Sequence, residues 1–150
     1  MDEQTVQQYL YDHIPLSRAM QVEVLSVQPD EVVLRAPLAP NINHKETVFG
    51  GSASAVAILA AWSLLHTRLK NVAVNSQLVI QSNTMNYLLP ISGTFTARSF
   101  IDDDTDWSRF VRTLERKGRA RIAVTAVLEY EGQQAGRLTG EFVALATGAH

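Results

Sequence analysis

From Gly50 to near Leu69 the chain runs almost without charge, and no Asp or Glu lies between Gly50 and Arg68. At helical spacing Ala55, Leu59, Trp62 and His66 share one face, while Val56, Ile58, Ala60 and Leu64 fill the others. A helix apolar nearly all round is buried on most of its sides. This one is therefore expected to be the axis around which everything else packs. Ser52, Ser54 and Ser63 interrupt it, and its most apolar part, 50–65, falls short of the roughly 20 apolar residues that cross a bilayer.

The rest of the chain reads as a wrapping for that axis. Val6, Tyr9, Leu10, His13 and Ile14 form a helical stripe over 3–14, ended by Pro15. Val22–Val27 and Val32–Ala36 flank the turn-like Gln28-Pro29-Asp30-Glu31 and read as a hairpin. Residues 36–49, with Pro37, Pro40, Asn41 and Asn43, read as a loop. After the apolar run come four strand-like segments: Val74–Leu88, Gly93–Ile101, Arg119–Tyr130 and Gly140–Thr147. Glu131-Gly132-Gln133-Gln134 is a plausible hairpin turn. Between the second and third segments, Trp107, Phe110, Val111 and Leu114 mark a helix over 106–117. One apolar helix against one curved antiparallel sheet is an α+β layer solution. The 150 residues make a single domain over 1–150. Long strands that one helix cannot cover predict dimerisation through a sheet edge.

Composition removes several classes of function. The chain has no cysteine, so a disulfide scaffold, a thiolate nucleophile and a Cys-ligated zinc site are excluded. The four histidines, His13, His44, His66 and His150, form no metal-ligand pair of the HxxxH or HExxH kind, and no metal is expected. Net charge is −2, so a nucleic-acid binder is not the first reading. The N-terminus carries no basic segment followed by an apolar run, which predicts a cytoplasmic protein without a membrane partner.

The segment richest in chemistry is Asn41-Ile42-Asn43-His44-Lys45-Glu46-Thr47-Val48-Phe49-Gly50-Gly51-Ser52, a polar loop running into a glycine pair that opens the apolar helix. Free N–H groups at a helix N-terminus favour negative charge, and glycine lets a ligand approach the backbone. An oxyanion suits such a place. Equally, the glycine pair could serve only close packing of helix on sheet.

Residues 43–65, followed by Tyr87-Leu88-Leu89-Pro90-Ile91-Ser92-Gly93, resemble the hotdog fold of acyl-thioester enzymes, a long helix wrapped by a curved antiparallel sheet. Asn43-His44-Lys45-x-Thr47-x-Phe49-Gly50-Gly51-Ser52 resembles more closely the YiiD carboxy-terminal, thioesterase-like branch. The likeness runs over about residues 16–147 by order of elements.

The chain also departs from common hotdog thioesterases. Those carry His-Gly-Gly at the helix start and an acid further along the helix, where this chain has Phe49 and Ile58. Hydrolysis needs an activated water, and the usual base is missing. Decarboxylation of a malonyl thioester instead needs donors for the enolate oxygen and apolar walls. Some members of the branch are malonyl-acyl-carrier-protein decarboxylases that prime fatty-acid synthesis, and the resemblance implies that lyase activity here. On this reading the N–H groups of Gly51 and Ser52 form the oxyanion hole. Asn43 donates to the thioester carbonyl or orients the malonyl carboxylate, and His44 holds the carboxylate or protonates the enolate. Phe49 and Gly50 line the substrate, while Ser82 and Asn83 reach the site of a second copy. Each has a plainer role open to it: Asn43 as a loop cap, His44 as an exposed loop residue, Ser82 and Asn83 as ordinary strand positions. Glu46, if turned inward, would return hydrolysis to consideration.

Six of the thirteen Lys and Arg residues fall between 109 and 121, and Arg109, Arg112 and Arg116 share one helical face. Such a face suits an acidic carrier protein or the phosphate of a phosphopantetheine arm, or it is simply solvated. The expected partners are acyl carrier protein or acyl-CoA and a second copy, as homodimer or dimer of dimers, with phosphopantetheine or CoA belonging to the substrate and no separate cofactor. A thioester hydrolase and a non-catalytic acyl-binding domain are the alternatives.

Overall fold

The computed structural model describes residues 1–148; one of the four histidines, His150, lies outside them. In chain order the elements are α1 (Glu3–His13), α2 (Pro15–Ala19), β1 (Glu23–Val27), β2 (Val32–Ala36), a short 3-10 turn (Ala39–Asn41), α3 (Gly50–Leu69), β3 (Ser76–Tyr87), β4 (Phe95–Phe100), α4 (Trp107–Lys117), β5 (Arg119–Tyr130) and β6 (Gln133–Ala146). The six strands form one antiparallel sheet in the order β1-β2-β4-β5-β6-β3. The expected α+β architecture is present, with the long helix α3 inside the curve of the sheet.

Alternation on the strands explains the wrap. Phe95 and Ala97 of β4, Val124, Ala126 and Leu128 of β5, and Leu138 and Phe142 of β6 all turn inward and are buried. They meet Val56, Ala57, Ala60, Ala61, Leu64 and Leu65 of α3, each fully buried. Three alanines in that set let helix and sheet lie close. Burial of a side chain such as Leu64 contributes about 1.5–3 kcal/mol, and trimming it to Ala would cost about 2–5 kcal/mol.

The two edges of the sheet are treated differently. At β1, Gln7 Oε1 of α1 accepts the Val24 N–H (2.9 Å) and Glu3 Oε2 accepts the Val27 N–H (3.2 Å), so the outward amides of that edge are satisfied. At the other edge no strand or helix pairs beyond β3 among the described residues, and most of β3 is exposed, Val79 included.

Several boundaries differ from expectation. β6 starts at Gln133, seven residues before the expected Gly140. The turn is tighter than Glu131–Gln134: Glu131 (φ 51°) and Gly132 (φ 76°) both sit in the left-handed region, and Tyr130 already pairs with Gln133. Gln133-Gln134 and Gly136 hid the first half of the strand, because they lack the apolar alternation of a strand. Space at Gly136 is tight: a Cβ there would lie 2.9 Å from the Met85 methyl and 3.3 Å from the Asn86 carbonyl. Helix α2, opened by Pro15 at its first position, was not expected either.

Candidate functional site

The site is built around the start of α3. Phe49 is the N-cap, in extended backbone, and no side chain caps the helix. The first bond of the helix is Ala53 N–H to the Phe49 carbonyl, at 3.0 Å. The amides of Gly50, Gly51 and Ser52 precede that bond and are the ones a helix end leaves without intrahelical partners. The segment leading into the helix is held firmly. Val48 N–H donates to the Ile91 carbonyl (2.8 Å) and Phe49 N–H to the Asn41 carbonyl (2.7 Å). Buried Asn41 anchors it further, its Nδ2 donating to the carbonyls of Met20 (3.0 Å) and Pro37 (2.8 Å).

The glycine pair does not serve contact with the sheet backbone. The nearest neighbour of a Cβ on Gly50 would be the Tyr87 ring at 3.5 Å, an ordinary contact. A Cβ on Gly51 would fall 2.5 Å from Cε2 of Phe49, whose ring folds over that residue. Tyr87, at the end of β3, donates its hydroxyl to the Gly50 carbonyl at 3.0 Å. Sequence reasoning used Tyr87 only as part of the Tyr-Leu-x-Pro turn and missed this contact.

A cavity of about 320 Å³ opens beside this turn, walled by Val48, Gly50, Ala53, Tyr87, Leu89 and Ile91 among others. Its walls carry no acidic, basic or imidazole side chain. Beside it Phe49, Tyr87 and Leu88 are each more than half exposed, an apolar rim around the helix start.

The expected site residues fall into four groups. Gly50, Gly51, Ser52 and Phe49 are brought together at the helix start. Asn43 sits in the loop before it, and its amide is engaged there. Oδ1 accepts from the N–H groups of Lys45 (2.7 Å) and Thr47 (3.2 Å), and Nδ2 donates to Thr47 Oγ1 (2.8 Å). His44 and Glu46 are exposed on the same loop, Glu46 with φ 64°. Ser82 and Asn83 lie on the open strand β3, paired with Glu141 and Gly140, just past a bulge at Gln81. Register places Asn83 on the same face as Ile80 and Met85, toward α3, and Ser82 on the opposite face. Arg109, Arg112 and Arg116 are exposed on α4 and form no ion pair among the described residues. They lie at the far end of α3: Trp107 of α4 stacks under Arg68 at 4.1 Å, about 27 Å along the helix from Gly50.

A family model described as "Putative thioesterase (yiiD_Cterm)" matches residues 3–146. The chain belongs to this family. Solved structures agree. A protein of unknown function from Chlorobaculum tepidum is 29% identical, with 97% of this chain and 94% of that one covered, at a TM-score of 0.89. A protein described as a putative thioesterase from Shewanella oneidensis is 26% identical, with 95% and 96% covered, at 0.85. A thioesterase from Haemophilus influenzae shares the fold at 13% identity and a TM-score of 0.79, with 100% and 94% covered. The family and these neighbours bear out the hotdog fold expected from the helix start and the Tyr-Leu-x-Pro turn. They also place the chain in the thioesterase superfamily, whose chemistry is that of acyl thioesters. No helix among the described residues is long and apolar enough to cross a membrane.

Proposed function

We propose that this chain decarboxylates a malonyl thioester held on acyl carrier protein, releasing CO2 and leaving the acetyl thioester that primes fatty-acid synthesis. One observation carries the reading: the cavity beside the start of α3 has apolar walls and no carboxylate in its lining, and of the amides left without intrahelical partners there Gly50 lines it while Gly51 and Ser52 follow directly along the helix. In the step, the bond between the α-carbon and the carboxylate breaks and CO2 leaves. The electron pair moves into the thioester carbonyl as an enolate, and a proton then adds to the α-carbon. The N–H groups of Gly51 and Ser52 hold the enolate oxygen. Apolar walls favour loss of the localised carboxylate charge. His44, exposed on the neighbouring loop, is the proton donor or the carboxylate's partner, and Asn43 holds that loop in place.

A second copy pairs along the open edge of β3 in this reading. An antiparallel pairing sets the Tyr87 end of one strand beside the Ser76 end of the other. Ser82 and Asn83 then border the neighbour's site, and the arginine face of α4 approaches the neighbour's helix start. That gives the carrier protein a basic docking surface near the chemistry.

Hydrolysis of acyl-CoA or acyl-carrier protein is the second reading, favoured by the family's own description. Glu46 is the carboxylate on the loop before the helix. Incubation with malonyl-carrier protein separates the two. Acetyl-carrier protein with CO2 supports decarboxylation, whereas free malonate or free carrier thiol supports hydrolysis and rejects it.

A further inference from the structure

The cavity beside the helix start is larger than a malonyl group needs, and hydrogen bonds hold its shape. Ala53, Ile91, Leu128 and Ala135 form its floor, each almost without exposure. Its rim is tied at three places. Val48 N–H donates to the Ile91 carbonyl (2.8 Å), and the N–H groups of Leu88 and Leu89 donate to the Ala135 carbonyl (2.9 and 3.1 Å). The Tyr87 hydroxyl donates to the Gly50 carbonyl (3.0 Å). At the mouth Tyr87, Leu88 and Leu89 are exposed, and an exposed apolar rim marks a place that a ligand covers. A preformed, mostly apolar pocket is the usual form of a small-molecule site. At roughly 30 Å³ for each small group, the share a water takes in the liquid, the volume of about 320 Å³ holds about ten non-hydrogen atoms, whereas a malonyl group beyond its sulfur brings about six. The surplus is lined by hydrocarbon. Among the described residues the one polar side-chain group on the walls is the Tyr87 hydroxyl, and Gly50 already holds it.

We infer that this surplus takes an alkyl branch on the α-carbon of the substrate. The chain then decarboxylates 2-alkylmalonyl thioesters, with a branch of about two to four carbons, more efficiently than malonyl itself. The inference rests on the proposed reaction and narrows its substrate class. The same bonds change: the one between the α-carbon and the carboxylate breaks and CO2 leaves, the electron pair moves into the thioester carbonyl, and one proton then adds to the α-carbon. The product is a straight-chain acyl thioester, butyryl from ethylmalonyl. A branch gains from the apolar walls by about fourfold in affinity for each methylene buried, a gain closed to malonyl, which carries hydrogen at that place. Contacts made by a part of the substrate that does not react also hold its carbonyl against the amides of the helix start.

The test follows CO2 release by the intact protein from malonyl-carrier protein and from ethylmalonyl-carrier protein. The kcat/KM for ethylmalonyl should be about tenfold the higher. Binding is read separately, by calorimetry, with the acetyl and butyryl amides of pantetheine, in which NH replaces the thioester sulfur and no turnover follows. The butyryl amide should bind about tenfold tighter than the acetyl amide. Two variants reduce the space. Ala53→Val fills part of the floor, and Gly50→Ala narrows a wall, its Cβ meeting the Tyr87 ring at an ordinary 3.5 Å. In each variant that folds, the preference for ethylmalonyl over malonyl should fall by about threefold or more. Ethylmalonyl turned over no better than malonyl overturns the proposal and leaves the proposed reaction standing. Equal affinity of the two amides does the same, as does a preference unchanged in the variants. Release of CO2 from neither substrate rejects the reaction itself, and the branched substrate with it.

Discussion

The Tyr87 hydroxyl donates to the Gly50 carbonyl at 3.0 Å, tying the last residue of β3 to the first residue of the central helix. Through this bond the strand that is open to a second copy is connected to the turn that carries the free amides. Tyr87 is itself 58% exposed, so the bond adds little to folding, about 0.5–1 kcal/mol. Its effect should fall on the placing of the helix start. Tyr87→Phe should leave the urea midpoint almost unchanged while lowering turnover roughly tenfold. Unchanged turnover in a folded Tyr87→Phe protein would show that the helix start needs no such tie.

Asn43 separates positioning from direct contact with substrate. Its Oδ1 holds two backbone N–H groups of its loop and its Nδ2 holds Thr47 Oγ1. Asn43→Ala should cost about 1–2 kcal/mol of stability and most of the turnover. Asn43→Asp keeps both acceptor bonds and loses only the donor, so it should stay folded and keep most of its activity. A folded but inactive Asp variant would instead assign the amide a contact with the thioester or its carboxylate. Circular dichroism melts beside initial rates distinguish these outcomes.

Position along the chain governed what could be read before the structure. Helix α3 was legible to within a residue, because Gly50-Gly51 opens a run that is apolar nearly all round and free of acidic residues until Leu69. The α4 stripe was equally plain, and its ends are marked by the Asp106 cap and by Gly118 with φ 72°. The first half of β6 was hidden, since Gln133, Gln134 and Gly136 owe their place to the partner strands β5 and β3 and to the two-residue turn before them. At the site, the helix start and its loop were legible from Asn43 to Ser52. The Tyr87–Gly50 bond spans 37 residues and leaves no local pattern. The stacking of Trp62 on His66 was visible as helical spacing, but Tyr9, which packs against His66, comes from another helix.

Docking on α4 predicts an effect confined to large substrates. Arg109, Arg112 and Arg116 are exposed and point away from the buried Phe110 and Leu114. Arg112→Glu reverses charge at the centre of that face without touching the core. The KM for a carrier-protein thioester should rise about tenfold, and for a short pantetheine thioester less than about twofold. The carrier-protein effect should shrink as salt is added. Equal effects on both substrates would mean that the arginine face is solvated and takes no part in docking.

His66 gives the fold an acid limit that can be read without substrate. Burial, then the charges of Lys70 and His13, hold its imidazole down at about 4, below the ordinary value near 6.5. Tyr9 of α1 is the other titratable group packed against the ring. Between these two values the unfolded chain takes up a proton that the folded chain refuses, so stability rises with pH across this window and is lost on acidification. Above about pH 6.5 both states are neutral at this position and the effect vanishes; below about pH 4 it is complete. Because the ring is only half-buried, the loss should be about 1–2 kcal/mol. Unfolding free energies from urea melts at pH 7.5 and 4.5 should differ by that amount more in the natural protein than in His66→Gln, which has no imidazole to titrate. A variant with the same pH dependence as the natural protein would place the acid sensitivity in other groups.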